Sequence, residues 1–160
     1  MGPVAYFSLC LLCCLIFNPS LAGAQAMSCP AGWLSFHDSC YRFFHKEKNW
    51  MEAEAHCQHQ RNGAHLVSIH GPGENNMLAH YSKQYHKKNR AVWIGLSDPM
   101  EDRDWKWSDN SLLGFTAWDK GQPDSPRKNE HCVVLRRPDF KKWHDYPCEE
   151  RHPFICEHKP

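Results

Sequence analysis

Residues 121–132 read GQPDSPRKNEHC, and residues 142–145 read KWHD. One amide and three carboxylates, Gln122, Asp124, Glu130 and Asp145, gather around Pro123, and His144 stands among them. Oxygen-bearing side chains converging on one point suit a hard divalent cation such as calcium. Imidazole is a softer donor, better matched to zinc or copper. The stretch Ser111–Asn129 has no clear period and holds Gly114, Gly121, Pro123 and Pro126. A long irregular segment inside a compact domain is usually functional or disordered. Here Trp118 and the nearby cysteines argue for order.

Upstream, the local signals are regular. Ser28–Phe44 alternates loosely and is rich in aromatics, as a short hairpin would be. Asn49 with Glu52 has capping-box spacing, and Trp50, Ala53 and Cys57 fall on one helical face. Asn62-Gly63 closes that helix. Ala64–Ile69 reads as a strand with His65, Val67 and Ile69 alternating against Leu66 and Ser68. A second helix is expected over Glu74–Tyr85, burying Met77, Leu78, Tyr81 and Tyr85, before a polar loop from Lys87 to Arg90. Ala91–Leu96, AVWIGL, is an unbroken apolar run and reads as a central buried strand. Three short strands close the chain: His131–Leu135, Phe140–Asp145 and Phe154–Glu157. Helices early and short strands late make an α+β domain. Tryptophans at strand positions, including Trp105, Trp107, Trp118 and Trp143, are expected in the core.

The length of 160 residues allows one domain, and the net charge of +1 offers nothing to nucleic acid. Residues 1–26 contain no Lys, Arg, Asp or Glu, and carry the apolar run Val4–Phe17 before two small-x-small sites. They read as a secretory signal peptide, leaving a domain over 27–160 and no membrane insertion. Six cysteines follow: Cys29, Cys40, Cys57, Cys132, Cys148 and Cys156. An even set in a secreted chain implies three disulfides, and composition alone leaves their pairing open. The twelve histidines all lie after the leader; protonated in mild acid, they would make the domain strongly cationic. No GxSxG or HExxH motif occurs, so no catalytic residue is assigned and an enzyme is not expected.

Trp93-Ile94-Gly95-Leu96, the six-cysteine set, Gln122-Pro123-Asp124 and Trp143-His144-Asp145 together resemble a C-type lectin domain of the long form. The likeness covers about residues 29–158 and is nearest to venom galactose-binding lectins, regenerating proteins and eggshell lectins. It implies two helices flanking small antiparallel sheets, a long ordered loop region, and disulfides Cys29–Cys40, Cys57–Cys156 and Cys132–Cys148. It also implies a cis peptide bond before Pro123, and calcium held by Gln122, Asp124, Glu130 and Asp145. Sugar would meet those four residues and His144. Gln-Pro-Asp implies galactose-type hydroxyls, where Glu-Pro-Asn would imply mannose-type.

The chain departs from the family where His144 replaces asparagine, and where Ser125-Pro126 follow Gln-Pro-Asp in place of an aromatic. Asp98 and Asp102 match part of a second family calcium site, but Ser125 and His131 replace its other carboxylates, so both are read as solvated loop acids. Arg136-Arg137 and Lys141-Lys142 bracket a turn near the sugar loop, a rim suited to anionic glycans or matrix. The expected function is a secreted calcium-dependent lectin. The alternative is a carbohydrate-independent binder of matrix, mineral or protein on the same scaffold, including antimicrobial and venom-type ligands. With all six cysteines used internally, no disulfide-linked dimer is expected.

Overall fold

The computed structural model describes residues 29–85, 91–125 and 129–160. The expected leader, the polar loop from Lys87 to Arg90 and Pro126 lie outside the described residues. Along the chain run β1 (Leu34–Phe36), β2 (Ser39–Lys48), α1 (Trp50–Gln60), β3 (His65–Leu66), α2 (Pro72–Tyr85), β4 (Ala91–Ser97), β5 (Lys106–Trp107), β6 (Glu130–Arg136), β7 (Lys142–Pro147) and β8 (His152–His158).

Asn49 caps α1. Its Oδ1 accepts the Glu52 N–H at 2.8 Å, and the Glu52 carboxylate accepts the Asn49 N–H at 3.3 Å. This reciprocal pair satisfies two of the donors a helix start leaves open. Trp50, Ala53 and Cys57 are buried on one face, and Glu54 is buried with them. Glu54 accepts the Leu66 N–H at 2.9 Å and meets His65 Nδ1 at 2.6 Å, which ties α1 to β3. The second helix starts at Pro72, a residue whose fixed φ suits the first helical turn. Leu78 and Tyr81 are buried and Met77 is half-buried. Tyr85, expected inside, is 45% exposed. It ends the helix at the edge of the core, stacked on Phe43.

The strands join in the order β1-β2-β8-β4-β6-β7, with β3 on β8 and β5 on β4. Strand pairings are antiparallel except β4 with β8, so the sheet is mixed and continuous. Alternation along β4 separates two cores. Val92, Ile94 and Leu96 pack with Leu78, Ala79 and Tyr81 of α2. Ala91 and Trp93 pack with Trp50, Ala53 and Cys57 of α1. Trp50 Nε1 donates to Ile94 O, Trp93 Nε1 to Lys48 O and Trp143 Nε1 to Asn75 Oδ1, each at 2.9 Å. Burying each such ring is worth about 2 to 3 kcal/mol once its N–H is satisfied.

Residues 64–69 do not alternate as expected. Leu66, Val67, Ser68 and Ile69 are all buried, and only His65–Leu66 pairs as a strand. The segment is wedged between β8 and β4. Val67 N–H donates to Ile155 O at 3.0 Å, and Gly95 N–H donates to Val67 O at 2.9 Å. Both sides are therefore covered. The wedge also explains Gly95: a Cβ there would lie 2.6 Å from Leu66 O and 2.9 Å from Ser108 Oγ. Disulfides join Cys29–Cys40, Cys57–Cys156 and Cys132–Cys148.

The long loop stands on the α2-side core. Trp107 and Trp143 are buried within it, and Trp105, Leu113, Phe115 and Trp118 pack against it. Trp143 N–H donates to Ala117 O at 3.0 Å, and Asp119 N–H donates to Trp143 O at 3.1 Å. These bonds fix the loop as an extra ribbon beside β7. The tryptophans thus floor the loop region instead of standing out as platforms.

Candidate functional site

Three segments meet above this floor. The turn Asp119–Gln122, closed by Gln122 N–H donating to Asp119 O at 2.9 Å, leads into the cis Gln122–Pro123 bond. The start of β6 supplies Glu130, and β7 supplies Asp145. Carboxylate oxygens of Asp124, Glu130 and Asp145 lie within 4.8 Å of one another. Asp145 is completely buried at its side chain. Its Oδ1 accepts the Asp124 N–H at 3.1 Å, while its Oδ2 accepts from Arg103 Nη1, also at 3.1 Å. Glu130 N–H donates to Ser125 Oγ at 3.2 Å, so the buried Ser125 links the two ends of the loop. Gln122 Oε1 is shielded from solvent and has no hydrogen-bond partner among the described residues.

A shielded amide oxygen without a donor is costly, and three crowded carboxylates repel one another; a bound cation would relieve the crowding. The residues present therefore fit calcium: an all-oxygen donor set drawn from the loop and from the two strands beside it. Gln122, Asp124, Glu130 and Asp145 would hold it.

His144 is oriented differently. Neighbours on β7 alternate in direction, so Asp145 shares the inward face of Trp143 while His144 points the other way. Its Nε2 lies 2.9 Å from Asp119 Oδ2, and its Nδ1 lies 3.3 Å from Arg136 Nη1. The guanidinium can only donate, so Nδ1 accepts and Nε2 carries the proton toward Asp119. Donation from Lys120 N–H and from His144 holds the Asp119 carboxyl below its ordinary range. With both ring nitrogens engaged, His144 does not join the acidic group. The cations Arg137, Lys141 and Lys142 are exposed at the turn that joins β6 to β7.

The reading of Asp98 as a solvated acid is overturned, because Asp98 is 1% exposed. It accepts the Asp102 N–H at 3.0 Å and the Arg103 N–H at 3.1 Å, and meets His131 Nδ1 at 3.2 Å. Burial alone would raise its carboxyl, but these donors outweigh it and hold the pKa below the ordinary value. Asp98 is thus the organiser of the 98–103 turn. Asp102 is exposed, as expected. Arg103 and Asp119 were not singled out from the sequence. Arg103 had one visible signal, a single cation inside the acidic run Glu101-Asp102-Arg103-Asp104.

Comparison with known proteins agrees with this architecture. Residues 46–158 match the lectin C-type domain. The chain belongs to the C-type lectin family. It is 41% identical to the C-type lectin BfL-2 of Bungarus fasciatus over 160 residues, covering 99% of each chain. Among solved structures, human lithostathine superposes with a TM-score of 0.78 at 36% identity, covering 83% of this chain and 92% of that one. Ovocleidin-17, described as a major protein of the Gallus gallus eggshell calcified layer, gives a TM-score of 0.74 at 30% identity, with 83% and 100% covered. Among the described residues, no helix is long and apolar enough to cross a membrane.

Proposed function

We propose that this C-type lectin is a secreted, calcium-dependent carbohydrate-binding protein of galactose-type specificity, and not an enzyme. The observation that carries this reading is the gathering of the Asp124, Glu130 and Asp145 carboxylates within 4.8 Å of one another, with the partnerless, shielded Gln122 Oε1 two residues before Asp124 in the chain. When bound, calcium would offer open coordination positions to two neighbouring sugar hydroxyls. The protein's own part is to set the hydrogen-bond pattern around those hydroxyls. The Gln122 amide donates, and the Asp124 and Glu130 carboxylates accept. The order amide-Pro-acid therefore favours one hydroxyl geometry over the other. The exposed cations Arg137, Lys141 and Lys142 extend the surface toward anionic glycans.

Calorimetry tests this directly. Calcium should bind at millimolar concentration or tighter, and galactose should then bind, with EDTA abolishing the sugar heat. Exchanging the pair as Gln122→Glu with Asp124→Asn should move preference toward mannose. A protein that gives no heat with calcium at millimolar levels refutes the proposal.

Two observations favour a second reading, in which the same face binds matrix, mineral or protein without sugar. His144 is tied to Asp119 and Arg136, and the buried Ser125 occupies the position after Gln-Pro-Asp. The site then lacks both a fifth ligand and an aromatic stacking surface. A glycan array blank with and without calcium would select this reading. Recovery of sugar binding on His144→Asn would select the first.

A further inference from the structure

Arg103 occupies an unusual position. Its backbone is in the left-handed region, at φ 68°, where a side-chain-bearing residue is uncommon. The buried Asp98 holds it there by accepting its N–H. From this turn the guanidinium reaches Asp145 Oδ2 across 42 residues of sequence, at 3.1 Å. Asp145 is wholly buried, whereas Arg103 is 43% exposed at its side chain. The other Asp145 oxygen is already committed to the Asp124 N–H. Arg103 also lies over the Trp105 ring, 6.0 Å from its centroid. Beside it opens a cavity of about 450 Å³ lined by Glu101, Arg103, Asp124, Ser125 and His131. The chain therefore carries its own cation at the edge of the acidic group, with room to withdraw.

We propose that Arg103 is a built-in competitor for the ion: its guanidinium neutralises Asp145 in the calcium-free protein, must leave Asp145 Oδ2 when calcium binds, and thereby sets the calcium affinity. The reasoning is electrostatic. A buried carboxylate without a counter-charge is strongly destabilising, so the calcium-free state gains most from Arg103. The bound state gains less, because a second positive charge at the same oxygen is repelled. A group that favours the free state weakens the ligand by the same free energy. The exposed end of the pair is the arginine, so it is the partner that moves. This proposal rests on the calcium reading above.

The test uses the whole mature chain and calcium alone. Arg103→Gln removes the charge and keeps a polar side chain. Calcium should bind Arg103→Gln about tenfold more tightly than wild type, the weight of one charge-assisted hydrogen bond. In EDTA the variant should melt below wild type, and calcium should close that gap. A purely structural role would lower both melting points equally and leave affinity unchanged. Arg103→Lys, which keeps the charge, should stay near wild type in EDTA and guards against a folding failure of the glutamine variant. Calcium that binds the variant but not wild type would keep the competition and overturn the calcium reading of the wild-type protein. Equal or weaker binding by Arg103→Gln, with wild type binding normally, overturns it and leaves the calcium reading intact. No binding by either protein overturns both.

Discussion

Two buried acids, Glu157 and Asp145, lie in the two halves of this molecule and are treated in opposite ways. Glu157, on β8 in the disulfide-tied framework, accepts Ser39 Oγ at 2.7 Å, Ser68 N–H at 3.2 Å and Ser68 Oγ at 3.1 Å. Lys159 stands 3.6 Å away. Its donors are mostly neutral, local to the sheet, and enough to replace water. Asp145, in the loop half, has two other acids within 4.8 Å and one backbone N–H besides Arg103. The framework satisfies its charges internally, as buried polar groups require. The loop half instead crowds like charges together. Surplus acid is a stability cost in an ion-free protein and a binding energy in an ion-bound one. The two halves should therefore respond differently to calcium, and that difference is measurable.

The largest effect belongs to the framework. Cys57–Cys156 ties α1 to β8 over a sequence separation of 99. Constraining a loop of that size removes unfolded-chain entropy worth about 4 to 5 kcal/mol. Replacing both cysteines by serine should cost that much in urea unfolding, and cost it equally in calcium and in EDTA. A loss that calcium rescues would break the division between the halves.

The framework was also the legible half. Asn49 and Glu52, the buried face of α1 and the apolar run of β4 are written in spacings of a few residues, so local physics exposes them. Gly95 was visible as a motif, but its reason, the Leu66 carbonyl 2.6 Å from where a Cβ would sit, needs the folded wedge. Of the candidate site, the grouping of Asp124, Glu130 and Asp145 was legible because residue type and crowding around Pro123 carry the chemistry. Its supporting charges were not. Asp98 looked solvated because acidic loops usually are, and only the folded turn brings Asp102 N–H, Arg103 N–H and His131 onto it. Arg103 and Asp145 are 42 residues apart, beyond any local pattern. The direction of His144 likewise follows from Asp119 and Arg136, on other segments.

The second effect belongs to the loop half. The Asp124 side chain is exposed, and only its backbone N–H supports Asp145. Asp124→Asn should therefore leave stability in EDTA unchanged, or raise it slightly by thinning the acids. Wild type in calcium at about one hundred times its Kd should gain about 2.7 kcal/mol over EDTA. The variant should gain almost none. Matched thermal melts with and without calcium read both quantities. A variant that destabilises the EDTA form would mean that the acids are structural, and the contrast would fail.

The smallest effect tests the seam between the halves. Asp109 leaves the loop and accepts Ser68 Oγ at 2.7 Å, the Ser111 N–H at 2.9 Å and the Ser111 hydroxyl, with Lys159 at 3.3 Å. Burial alone would raise its carboxyl, but these donors outweigh it and lower the pKa from 3.8 to about 2. A depressed carboxyl contributes stability that is complete above its unfolded value and is lost as pH falls through its folded one. Asp109 should therefore contribute about 2 kcal/mol above about pH 4, a contribution that shrinks as pH falls and disappears below about pH 2. Urea unfolding of wild type and Asp109→Asn across that window checks it. The variant should be less stable at neutral pH and converge on wild type in acid, with calcium making no difference at neutral pH. Convergence marks the seam as part of the self-satisfied framework. A gap that persists unchanged to about pH 2 would mean that Asp109 is held by shape alone. A neutral-pH gap that closes only with calcium would move the boundary, placing Asp109 with Asp145 among the charges an ion completes.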